Sequence, residues 1–115
     1  MAPFPRQGDI YWLDFDPALG SEIQKRRPSL VLSDERANRL GHILVVPITT
    51  KGQFARTAGF TVELPDTLKT KGVANIMQMR SVFFERRNPA YIETAPAATV
   101  IAVLEKLAAW TNMKV

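Results

Sequence analysis

The chain has 115 residues, 46% of them apolar, with 15 Lys or Arg against 11 Asp or Glu and a formal net charge of +4. That is enough apolar chain for one folded domain spanning 1–115, without metal or disulfide staples. The lack of cysteine excludes a disulfide framework, a thiolate metal site and a cysteine nucleophile, and the moderate basic excess permits a nucleic-acid or acidic-protein partner without demanding one.

His42 is the only histidine, which excludes a two-histidine acid–base pair within one subunit. The opening MAPFPRQGD has two prolines and no apolar h-region, so it does not read as a signal peptide. No apolar run approaches membrane-span length. A cytoplasmic protein with no membrane partner is the expectation.

Along the chain, Gly8-Asp9 precedes IYWLDF, rich in β-branched and aromatic residues, so 9–15 reads as a strand ended by the turn signal Asp16-Pro17. GSEIQKRR is a polar loop. Pro28 then opens a second strand, PSLVLS, since proline is tolerated at a strand's first position. In DERANRLGH, Asp34 is placed to cap one helical turn. Residues 43–50, ILVVPITT, are too short for a typical helix and read as a buried strand, with Pro47 arguing for a bulge or an edge. KGQFARTAG is a polar loop, FTVEL a strand and PDTLKTKG a turn.

VANIMQMRSVFF, 73–84, reads as the longest strand. Alternation over it puts Asn75, Met77 and Met79 on one face and Ile76, Gln78 and Arg80 on the other. ERRNPA turns into a short strand at 91–93. From Thr94 the period becomes helical: Val100, Val103, Leu104, Leu107 and Trp110 form one stripe, with Thr94 as the capping acceptor and Pro96 in the first turn. The fold class is therefore mainly β with a C-terminal α-helix, and a small barrel is the natural way to remove strand edges.

The stretch GSEIQKRRP carries the most chemistry. Arg27 stands where loop becomes strand, and a guanidinium there presents a planar fork to phosphate oxygens. Glu22 can take a proton from a hydroxyl if the loop folds over. The same residues also read as ordinary solvated charges. Thr49 and Thr50 end the apolar strand, where a hydroxyl can donate to a phosphate oxygen. His42 reads as a surface residue. Phe54, Arg56 and Phe60 interleave aromatics with a cation in a pattern that suits base stacking, or else Phe60 belongs to the core and Arg56 to solvent.

Taken together, GDIYWLDFDPALGSE, RRPSLVLS, VVPITT and FARTAGFTVEL resemble the MazF/PemK toxins of type II toxin–antitoxin systems, the FARTAGF segment being most similar to the PemK (Kid) branch. The similarity runs from about Gly8 to Phe84. The resemblance implies an SH3-like barrel that forms homodimers and a metal-independent, cofactor-free endoribonuclease acting on single-stranded RNA. It implies cleavage by the RNA's own 2′-OH to a 2′,3′-cyclic phosphate and a 5′-OH, and a cognate antitoxin whose C-terminal segment covers the active site. The family's glutamate, arginine and threonine correspond to Glu22, Arg27 and Thr49. Gln24, Lys25, Arg26, Thr50, Lys51, Arg56 and Arg80 are then candidates for holding RNA.

Two departures from the family pattern stand out. Ile23, Gln24 and Lys25 replace the glutamine and glycines that many relatives carry after the glutamate. Met77 stands where many relatives have an acid, and Asn75 where the PemK (Kid) branch has an arginine. Two other functions share this barrel and stay open at this point: a gyrase-poisoning toxin of the CcdB type, and an RNA-binding barrel that does not cut.

Overall fold

A computed structural model describes residues 4–15, 25–51 and 58–112. Among these residues, seven strands form one antiparallel sheet: β1 (Asp9–Phe15), β2 (Lys25–Val31), β3 (His42–Thr49), β4 (Thr61–Glu63), β5 (Val73–Asn75), β6 (Arg80–Phe83) and β7 (Ala90–Thr94). The ladder runs β4-β5-β3-β2-β1-β7, and β6 also pairs with β3. A short helix α1 (Glu35–Asn38) links β2 to β3, and a 14-residue helix α2 (Ala97–Trp110) follows β7. This is the mainly β architecture with a C-terminal helix that the sequence predicts.

Strand β3 organises the rest. Its start pairs with β6, from His42↔Phe83 to Val45↔Arg80, and its end pairs with β5, at Ile48↔Ala74 and Thr49↔Val73. The expected single strand over 73–84 is thus two strands on the same edge, split by a 3-10 turn at Ile76–Gln78. The cause is local: the Asn75 side-chain oxygen accepts from the Met77 amide at 3.1 Å and draws the chain out of the ladder. Face alternation fails there, so Asn75 and Ile76 are both buried. On β3, Val46 and Pro47 lie opposite this interruption, where Pro47's missing N–H leaves less to satisfy.

Alternation holds in β1, β2 and β3 and sorts their side chains onto two buried faces. Ile10, Leu30, Val46 and Ile48 pack with Val100 and Val103 of α2. Leu13, Phe15, Val31, Ile43 and Val45 pack with Val82 of β6. Each aliphatic side chain so buried stabilises the fold by about 1.5–3 kcal/mol.

Asp34 caps α1 as expected, accepting from the amides of Arg36 (3.0 Å) and Ala37 (3.3 Å). The other cap differs from expectation. Pro96 occupies the N-cap of α2, and Thr94 instead donates its hydroxyl to Asp9 at 2.9 Å, tying β7 to β1. The apolar stripe of α2 is also narrower than its spacing suggests: Thr99, Val100 and Val103 are buried, whereas Leu104 and Trp110 stay about 40% exposed, Trp110 against the Phe60 ring. Among the described residues, no helix is long and apolar enough to cross a membrane.

Candidate functional site

The site forms where two strands part. Strand β2 begins at Lys25, earlier than Pro28, and pairs with β1 through Trp12↔Pro28 and Leu13↔Arg27. Its pairing with β3 starts only at Ser29↔Pro47. The first four residues of β2 therefore have one paired edge and one open edge, which is why a proline is accepted at position 28. The open edge faces the end of β3, and between them lies a cleft of about 440 Å³. Arg26, Arg27 and Pro28 form one wall, Ile48, Thr49 and Thr50 the second, and Trp12 and Ile92 an apolar side.

Arg27 and Thr49, distant in sequence, both line this cleft. The Arg27 Nε is buried and has no hydrogen-bond acceptor among the described residues. A buried donor on a charged group is costly unless an acceptor meets it, and an anion would be a strong one. The Thr49 side chain is buried, and its Oγ1 accepts from the Lys51 amide at 3.0 Å, which leaves the hydroxyl proton to donate elsewhere.

The remaining candidates fall in different places. Arg26 lines the cleft but is held by Asp14 (2.9 Å) and the Asn88 carbonyl (2.8 Å). Thr50 lines it and is exposed, and Lys51 follows on the surface. Lys25 is exposed with φ +67, a left-handed conformation uncommon outside glycine. Arg80 lies outside the cleft, its guanidinium 5.2 Å above the Phe15 ring. His42, exposed, stacks edge-on against Phe83 at the far end of β3. Glu22, Gln24 and Arg56 lie outside the described residues.

A further wall was not foreseen from sequence. Lys69, Thr70 and Lys71, in the segment read as a plain turn, line the same cleft as Arg27. Two features hold them there. A Cβ at Gly72 (φ +119) would stand 2.5 Å from the Thr49 carbonyl oxygen, so only glycine lets the segment approach β3 this closely. The Glu93 carboxylate accepts from the amides of Lys69 (3.0 Å) and Thr70 (2.7 Å) and from the Thr70 hydroxyl (2.7 Å). Burial pushes the Glu93 carboxyl up, but these hydrogen bonds and the Lys69 charge outweigh it and hold the group below the usual glutamate range. The sequence signal was a run of alternating cations before a glycine, K-T-K-G.

Residues 6–111 match the model of the PemK-like, MazF-like toxins of type II toxin–antitoxin systems. The chain belongs to this family. It is 42% identical over 105 residues to the endoribonuclease toxin ChpB of Escherichia coli K12, covering 90% of each chain. It is 36% identical over 103 residues to the endoribonuclease PemK of Escherichia coli, covering 88% of this chain and 77% of that one. The structure of MazF from Deinococcus radiodurans superposes with a TM-score of 0.85 at 32% identity, over 97% of this chain and all of that one. A MazE–MazF complex from the same organism superposes at 0.80.

Against the family pattern, Asn75 has a structural task here, as cap of the 3-10 turn, and neither it nor Met77 lines the cleft. The cleft of this PemK-like toxin is built from β2, the end of β3 and the 69–71 segment, with Trp12 and Ile92 on its apolar side.

Proposed function

We propose that this chain is the toxin of a type II toxin–antitoxin pair and a metal-independent endoribonuclease that cuts single-stranded RNA. The observation that carries the reading is the buried Arg27 Nε–H, without an acceptor among the described residues, on a residue that lines one cleft together with Thr49. Transfer of an RNA phosphoryl group to its own 2′ oxygen needs a base for the 2′ proton, charge stabilisation on the phosphoryl oxygens, and a proton for the 5′ leaving oxygen.

Arg27 supplies the charge stabilisation, since its fork matches two phosphoryl oxygens and its Nε is already buried. Thr49 donates a hydrogen bond to the same group. Glu22, three residues before β2 in the chain, is the base. The bond formed is 2′-O–P and the bond broken is P–O5′; the 2′ proton passes to Glu22 and the departing 5′ oxygen takes a proton from solvent, giving a 2′,3′-cyclic phosphate and a 5′-OH. Trp12 and Ile92 give the cleft an apolar side on which a splayed base can rest. Arg26, Thr50 and the neighbouring Lys25 and Lys51 add polar and cationic groups along the backbone path.

The cognate antitoxin is the natural partner for the same cleft, blocking it with a segment that competes with RNA. The homodimer is read for this chain as well, with the exposed Ile101, Leu104 and Trp110 of α2 as the apolar surface available for it.

The test incubates purified protein with a long RNA in the presence of EDTA and maps the 5′ ends of the fragments. Defined cut sites with 5′-OH ends, lost in Arg27→Ala and Glu22→Ala, are the expected result. Intact RNA, or undiminished cutting by either variant, rejects the assignment. Accumulation of broken DNA on gyrase instead would favour the non-nuclease toxin.

A further inference from the structure

Glu93 bridges two parts of the molecule that the strand ladder leaves apart. The ladder ends at β4 on one side and at β7 on the other. Between them, the 69–71 segment after β4 reaches the Glu93 carboxylate on β7 through three hydrogen bonds of 2.7–3.0 Å.

The register of β7 explains how this side chain gets there. Ile10 pairs with Glu93 while Tyr11 pairs with Tyr91, so Ile92 is an extra residue. In a regular strand, residues 92 and 93 would point to opposite faces. At the bulge, Ile92 lines the cleft and Glu93 reaches the lysine-bearing wall of that same cleft. Bulges beside functional sites re-aim side chains in this way.

The segment it holds carries two cations. The Lys71 ammonium donates to the carbonyls of Asp66 (3.0 Å) and Leu68 (2.8 Å), so it is anchored to the segment and moves with it. Glu93's own charge is taken up by three donors, which limits its repulsion of an approaching phosphate. We propose that Glu93 is a positioning residue for RNA: it fixes the 69–71 segment so that Lys69 and Lys71 receive a phosphate next to the one held by Arg27. This rests on the ribonuclease reading. A simple brace across the sheet would use the same hydrogen bonds but would leave RNA affinity untouched.

The test uses the full chain and an RNA spanning a mapped cut site, made uncleavable by a 2′-deoxy substitution there. Affinity is titrated against salt, and cleavage of the parent RNA gives kcat and KM. For Glu93→Ala, KM rises about tenfold with kcat within about twofold, and the salt slope falls by roughly 0.7 for each lost phosphate contact. Lys69→Ala/Lys71→Ala gives the same change, and adding Glu93→Ala to it changes little more. Glu93→Gln, which keeps one acceptor oxygen, falls between wild type and Glu93→Ala.

A folded Glu93→Ala with unchanged KM and salt slope overturns the proposal. Should Glu93→Ala not fold, unchanged KM and slope in Lys69→Ala/Lys71→Ala overturn it instead. If wild type binds the unmodified RNA without cutting it, the ribonuclease reading fails while titration of that RNA against salt still decides the role of Glu93. A wild type that binds no RNA overturns both.

Discussion

The carbonyl oxygen of Thr49 lies 2.5 Å from where a Cβ on Gly72 would stand. That single close approach brings the 69–71 segment to the end of β3 and so completes the cleft around Arg27. It also follows from pairing, since Thr49 opposes Val73, the residue after the glycine. Gly72 has φ +119, so a side chain there meets both a steric and a backbone penalty.

Gly72→Ala is expected to cost about 2–4 kcal/mol of stability, from backbone strain and displacement of the segment. A thermal melt should fall by roughly 10–20 °C. An unchanged melting temperature would mean that the approach of Gly72 to β3 is not needed for the fold.

Arg27→Lys should be almost as inactive as Arg27→Ala. Lysine keeps the charge but loses the planar fork, and its ammonium cannot replace the buried Nε–H of a guanidinium. Loss of one such donor to a transition-state oxyanion costs about 10²–10³ in rate. Initial rates on a defined RNA check this, and retention of more than about a tenth of wild-type rate by Arg27→Lys would show that charge alone suffices.

What was legible in the sequence was local. IYWLDF as β1, Asp34 as a cap and the helical period after Thr94 all depend on residues within a few positions of each other. The pairing of Arg27 with Thr49 became legible only through the resemblance, because no local pattern brings position 27 to position 49. The 69–71 wall has no local signature because it depends on Glu93, some 23 residues downstream, and on a backbone approach that only Gly72 permits. The break in 73–84 did carry a local signal, an Asn followed two residues later by the amide it caps, which the strong β pattern around it overrode. Thr94 shows the converse: a good cap by sequence, it was taken by Asp9 across the sheet.

Arg80 was a candidate for holding RNA, but its guanidinium rests on Phe15 at the edge of the second core face. Arg80→Ala should therefore leave RNA affinity and its salt slope unchanged within error. It should lower stability by about 0.5–1 kcal/mol through the lost cation–ring contact. A drop in the salt slope on removing Arg80 would instead place it on the RNA path.

Stability should fall in acid partly through Glu93 and Asp34. Arg36 and the Ala37 amide hold the Asp34 carboxyl below its ordinary value, and Glu93 is held low by Thr70 and Lys69 once its burial is overcome. A carboxyl whose folded pKa is depressed stabilises the fold above its unfolded value, and that contribution disappears as pH falls through the folded value. The loss therefore begins near pH 4.5 for Glu93 and near 3.8 for Asp34, and grows below. Glu93→Gln and Asp34→Asn should each flatten the melting temperature against pH below about 4.5, while lowering it at pH 7. For Glu93 the acid loss should also release the 69–71 segment, so amide exchange at Lys69 and Thr70 should quicken between pH 5 and 3, after correction for intrinsic rates, in wild type and not in Glu93→Gln. Equal protection of those two amides at pH 5 and pH 3 in wild type would show that the carboxylate's charge is not what holds the segment.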